Sequence, residues 1–224
     1  MSLSLALVIA AFALPPPLPA PSEFEAHVGN AWFPLHPGYT LIYRGVKDGQ
    51  PSRDVFHVTR RTKTILGVPC TVVSDKLYLR GRLEERTEDW YAQDRGNNVW
   101  YLGEATAELY PNGSVKTTEG SWQAGVNGAR AGIFMPGHPF RGETGIQELL
   151  KGEAEDHFRV LSLAASVETP AVISNFALLT REWTPLEPGV VDHKLYVKGI
   201  GTALEETVKG GDELNELVSV RPPR

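Results

Sequence analysis

Glu84-Glu85-Arg86-Thr87-Glu88-Asp89-Trp90-Tyr91-Ala92-Gln93-Asp94-Arg95-Gly96-Asn97-Asn98-Val99-Trp100-Tyr101-Leu102-Gly103-Glu104 is the stretch whose reading decides the fold of this chain. Two aromatic-rich runs flank Asp94-Arg95-Gly96-Asn97-Asn98, and Asp, Gly and Asn favour turns for local steric and hydrogen-bonding reasons. The stretch therefore reads as a hairpin. Side chains alternate across a strand, so Glu85, Thr87, Asp89, Tyr91 and Gln93 share one face. Glu84, Glu88, Trp90 and Asp94 share the other. A face so rich in acids must meet solvent, a ligand or a polar interior, because an unpaired buried carboxylate is costly. If that face is wet, Arg80, Arg82 and Arg86 are its natural cross-strand partners.

The same pattern continues in both directions. Helical periodicity is nearly absent after Tyr39, and short β-branched and aromatic runs alternate with Gly, Pro, Asn and Asp, as in a sandwich or barrel. Tyr39 to Arg44 runs into Lys47-Asp48-Gly49-Gln50, a strong hairpin signal. Lys76 to Gln93 is long for one strand and is expected to bend near Gly81 through a bulge. Pro111-Asn112-Gly113-Ser114 separates two further strands, and Ala124 to Gly142, rich in glycine, reads as a long irregular loop. Strands resume from Thr144 and continue to Val220 with no linker and no repeat. These features predict an all-β protein: residues 1–21 as a signal segment with a Pro-rich junction, then 22–224 as a single antiparallel domain. An open or closed β-barrel is expected, because closure removes exposed strand edges.

Bulk properties narrow the function classes. A net charge of -5 and the lack of any Lys/Arg cluster argue against nucleic-acid binding. The apolar run Ser2 to Leu14 has the length of a signal-peptide core, ahead of Pro15-Pro16-Pro17. It is shorter than the roughly 20 apolar residues that span a bilayer. The expected location is therefore extracellular or periplasmic, with no transmembrane segment. The single cysteine, Cys70, cannot form an internal disulfide and reads as a small buried hydrophobe.

Several segments together resemble a family of secreted bacterial proteins. They are Pro34-Leu35-His36-Pro37-Gly38, Glu88 to Asp94, Gly96 to Glu104, Glu119-Gly120-Ser121-Trp122-Gln123-Ala124-Gly125 and the loop Gly132 to Pro136. The resemblance implies export and a β-rich fold and carries no activity with it. Tyr196-Val197-Lys198-Gly199-Ile200-Gly201 and the Glu-rich strands after it resemble lipoprotein-carrier and lipocalin-like half-barrels, in architecture alone.

Candidate site residues follow from the hairpin. Glu85, Asp89, Tyr91 and Gln93 could line a cavity, with Trp90, Trp100 and Trp122 as flat walls and Glu104 as a further orienting acid. Met135 and His138, in the loop Phe134-Met135-Pro136-Gly137-His138, suit a lid, or alternatively Phe134 and Met135 plug the barrel end. The Asp94–Asn98 turn lacks the ligand count of a calcium loop. The six histidines form no close ligand pair, so a metal would need a through-space set such as His138, His193, Glu148 and Asp156; no metal and no cofactor is expected. Nucleophile-elbow and dinucleotide spacings are missing. The leading expectation is a monomeric binding protein for a small molecule, lipid or sugar. Its rivals are a hydrolase using paired carboxylates and a structural envelope protein without a pocket.

Overall fold

The computed structural model describes residues 14–25 and 27–223, so nearly all of the expected signal run lies outside the described residues. Fifteen strands succeed one another: β1 (Thr40–Lys47), β2 (Gln50–Ile65), β3 (Val68–Leu79), β4 (Arg82–Gln93), β5 (Val99–Leu109), β6 (Val115–Thr117), β7 (Trp122–Gln123), β8 (Arg130–Met135), β9 (Thr144–Ile146), β10 (Glu148–Leu149), β11 (His157–Thr169), β12 (Val172–Trp183), β13 (Val191–Val197), β14 (Gly201–Lys209) and β15 (Leu214–Arg221). The helical structure among the described residues is one 3-10 turn, Pro21–Glu23.

The strands form one antiparallel sheet in the order β10-β8-β5-β4-β3-β2-β1-β15-β14-β13-β12-β11-β9, with the short β6 and β7 paired to β5 outside that path. Its two terminal strands, β10 and β9, are separated in sequence by Gln147 alone, so the sheet curls until its edges meet as a nearly closed barrel of 13 strands. Where they meet, a Cβ on Gly132 of β8 would sit 2.2 Å from the Ile146 carbonyl oxygen, so the approach demands glycine. No helix among the described residues is long and apolar enough to cross a membrane.

Tight turns explain most of the path. Asp48-Gly49, Leu66-Gly67 and Arg80-Gly81 all have positive φ at both positions, the geometry that two-residue hairpins require. Arg80-Gly81 therefore ends one strand and starts another, in place of the bulged, bent single strand expected across Lys76 to Gln93. The expected loop from Ala124 to Gly142 is likewise corrected. Its centre is strand β8, which pairs with β5 on one side and β10 on the other. Glycine there serves close packing of strands, and the composition of the segment hid that.

The main apolar core lies on both faces of the sheet, and a smaller cluster of Val167, Ala177, Leu195, Val197 and Ala203 is separate from it. Inside the barrel, Phe33 meets Tyr91 at 5.3 Å and Phe134 at 4.6 Å between ring centres. On the outer side of β3–β5, Cys70, Val72, Trp90, Trp100 and Leu102 are buried in the core cluster against which Leu18 and Phe24 of the N-terminal segment pack. That segment is tied down by backbone bonds from Glu25 N–H to the Gln93 carbonyl and from Arg95 N–H to the Glu23 carbonyl.

Candidate functional site

Each strand of β1–β5 and β13–β15 points alternate side chains into the barrel, and an acid recurs among the inward ones. Asp54 comes from β2, Asp75 from β3, Asp89 from β4, Glu104 from β5 and Glu205 from β14. They surround two adjoining chambers. One, of about 160 Å³, has an aromatic wall of Phe33, Tyr43, Phe56, Tyr91 and Phe134. The other, of about 190 Å³, is lined by Glu85, Thr87, Asp89, Glu104 and Glu213, with Lys47 at its edge. Asp54, Asp75, Glu205 and Asn215 line both. No histidine lines either chamber.

A bulge aims the key residues. Asp89 pairs with Glu104 and Tyr91 with Tyr101, so two steps along β4 correspond to three along β5. Regular alternation would send Tyr101 and Glu104 to opposite faces; the extra residue brings both inside. Gly103 absorbs it at φ 136°, where a Cβ would lie 2.4 Å from the Trp122 carbonyl oxygen. Tyr101 then stacks on Tyr91 at 4.7 Å and donates its hydroxyl to Asp89 Oδ1 at 2.7 Å. Trp122 stands edge-on to Tyr101 and donates its indole N–H to Glu148 Oε2 at 2.7 Å.

Burial, reinforced by neighbouring acids, keeps several carboxyls protonated. Burial and then the charge of Asp75 push Asp89 up to about 8. Burial, then Asp89 and Glu148, push Glu104 to about 10. Glu148 rises to about 8, by burial and then the charge of Asp156. Asp54 is driven well above the carboxylate range by burial and then by the neighbouring Asp75 carboxylate. Among the described residues, four buried side-chain atoms have no protein hydrogen-bond partner: Ser52 Oγ, Asp54 Oδ1, Asp75 Oδ1 and Asn215 Oδ1.

Two lysines enter this acidic interior. Lys194 Nζ lies 3.2 Å from Glu182 Oε2 and 3.0 Å from Glu205 Oε1. Burial alone would lower its pKa, but these two carboxylates outweigh that and hold the ammonium well above its usual value. Glu182 Oε1 also accepts from Thr180 at 2.8 Å and Tyr196 at 3.0 Å. Lys47 lies 3.6 Å from Glu213, and both side chains are about one-third exposed, at 36% and 32%, so solvent reaches this end of the cavity.

Of the sequence-derived candidates, Glu85, Asp89, Tyr91 and Glu104 line the chambers. The arginine partners expected for them lie elsewhere: Arg82 pairs with Glu84, and Glu88 takes Arg61, all on the opposite phase of β4 or beyond the barrel interior. Trp122 stands behind Tyr101. The other candidates do not line the two chambers. Trp90 lies on the outer face with the Lys63 ammonium 3.0 Å from its ring centre. Trp100 is buried on that face too, donating to Asp94 Oδ2 at 2.8 Å and completing a plain turn in which Asp94 also accepts the Asn98 amide. Gln93 accepts the Gly29 N–H and donates to Asn97, bracing the N-terminal segment. Met135 is fully buried core. Its neighbour Phe134 packs against the interior rings of Phe33 and Tyr91 from strand β8. His138 lines a separate open groove of about 720 Å³ with Trp32, Phe176 and Lys198. The through-space metal set does not assemble: among the described residues no three His, Cys, Asp or Glu side chains are placed to hold a metal.

Asp54, Asp75, Lys194, Glu205 and Asn215 were missed as site residues. The available signal was an acid in phase with apolar neighbours, as in Asp54, Phe56 and Val58. The fold and interior define a β-barrel enclosing an aromatic and acidic cavity. Comparison with family models, curated proteins and solved structures finds no match to this chain.

Proposed function

We propose that this protein is an exported binding protein that holds a small amphipathic ligand inside its barrel. The apolar part lies against Phe33, Phe56, Tyr91 and Phe134, and the polar part reaches the acids. The observation that carries the reading is the lining of the two adjoining chambers, where an aromatic wall of Phe33, Phe56, Tyr91 and Phe134 meets Asp54, Asp75 and Asn215. Apolar walls with a few convergent polar groups are the usual make-up of ligand pockets. Export rests on the apolar run Ser2 to Leu14, and a monomer is favoured because the main path of the sheet returns to its start and leaves little edge to pair.

The test is native mass spectrometry of protein purified from its own cells, alongside calorimetric titration with 2-phenylethanol as a neutral amphipathic probe. A discrete small-molecule adduct, or probe binding that Phe56→Trp abolishes by filling the chamber, is the expected result. Bare protein together with no probe binding would refute the reading.

A further inference from the structure

The interior is short of positive charge. Asp54, Asp75, Glu85, Asp89, Glu104 and Glu205 line the two chambers. Lys194 already serves Glu182 and Glu205, and Lys47 serves Glu213 at the open end. We propose that the ligand is a protonated primary or secondary amine, with its ammonium seated among Asp54, Asp75 and Asn215 and its apolar part against the rings of Phe33, Tyr91 and Phe134. This rests on the interior-binding reading above and specifies its chemistry.

Four observations select this class. First, Asn215 is only 7% exposed and its Oδ1 has no protein partner, and the acids Asp54 and Asp75 line both chambers with it. An acceptor beside two acids favours a positively charged donor, and a quaternary ammonium has no N–H to give. Second, no metal-holding arrangement exists among the described residues, so a bare divalent ion is a poor occupant. Third, the adjoining wall is aromatic, and ring faces attract cations. Fourth, burial in the barrel holds protons on Asp54, Asp89 and Glu104 and so limits the charge of the interior. An ammonium arriving with its charge takes over that duty, and a carboxyl proton leaves to solvent as it binds.

The experiment is isothermal titration of the full chain with three probes sharing one ring: 2-phenylethylamine, 2-phenylethanol and phenylacetate. At pH 7 the amine is expected to bind at least tenfold more tightly than the alcohol, and phenylacetate not to bind. Amine affinity should rise from pH 5 to pH 8, a range in which the amine itself stays protonated. Binding heats in Tris and phosphate should differ by the heat of the released proton. The double variant Asp54→Asn/Asp75→Asn should keep alcohol binding and lose the preference for the amine. Equal affinity for amine and alcohol, or an amine preference that survives in the folded double variant, overturns the proposal and leaves the amphipathic pocket standing. If neither amine nor alcohol binds and the purified protein carries no adduct, both readings fall; an adduct that is not an amine overturns this proposal alone. Should the double variant not fold, the native protein decides: amine affinity independent of pH between 5 and 8 overturns the proposal.

Discussion

Replacing Lys194 by methionine tests the electrostatics of the barrel most directly. The substitution keeps an unbranched side chain one atom shorter and removes the charge shared by Glu182 and Glu205, at 3.2 and 3.0 Å. Breaking a buried ion pair from one side costs about 3–5 kcal/mol, because the partner is left as an uncompensated charge. Two features set the position within that range. Two carboxylates are orphaned instead of one, which raises the cost; the Lys194 and Glu205 side chains keep 23% and 27% of their exposure, so cavity water screens them and lowers it. About 3 kcal/mol is expected, equivalent to a fall in Tm of about 6–12 °C for a chain of this size. The assay is urea unfolding at pH 7 followed by far-UV circular dichroism. The triple variant Lys194→Met/Glu182→Gln/Glu205→Gln should recover most of the loss, since the orphaned charges are gone. A loss below about 1 kcal/mol in the single variant, or no recovery in the triple, would show that the pair is solvated and the interior is not the low-dielectric site described.

Further outcomes follow from the same interior. Asp89, Glu104 and Glu148 have native pKa values raised to about 8, 10 and 8, so between the ordinary carboxylate range and those values the native state binds more protons than the unfolded chain. Stability should therefore fall as pH rises from 5 to 8, by at most about 1.4 kcal/mol per pH unit for each such group. Glu104→Gln should flatten the slope, and a stability curve that rises with pH would refute the protonation scheme. Gly103→Ala should cost at least about 2 kcal/mol through a strained φ and a backbone clash. It should also change the near-UV circular dichroism as Tyr101 leaves Tyr91; an unchanged spectrum would count against the bulge. Cys70 is buried, its thiol pushed up to about 12 chiefly by burial, so it should react with Ellman's reagent only after unfolding.

The hairpin from Glu84 to Glu104 was legible because alternation is a local property. It places Glu85, Asp89 and Tyr91 on one face without any knowledge of the partner strands. It fails at Gly103, where one extra residue reverses the phase of everything behind it, so Trp100 and Trp122 could not be sorted between core and cavity by counting. Trp90 attracted attention for its ring, yet its even position in the strand already assigned it to the outer face. Asp54 and Asp75 looked unremarkable because each is a single acid in an otherwise ordinary strand. Their meaning is collective, arising when β2 and β3 lie side by side and Glu205 arrives from a strand about 130 residues further on (205 − 75 = 130). The long Ala124–Gly142 segment misled for a related reason: glycine marks loops when nothing is nearby, and marks close strand contact when a backbone is.

The meeting of the sheet's two edges at Gln147 has a mechanical consequence. Every other junction around the cylinder is laced by a ladder of backbone pairs, whereas β8 and β9 touch without one of their own. Compliance is thereby concentrated along a single line, and thermal breathing should part the wall there first. Amide deuterium uptake along the facing edges of β8 and β9 would accordingly run ahead of the laced strands opposite, giving the barrel something close to a zip fastener.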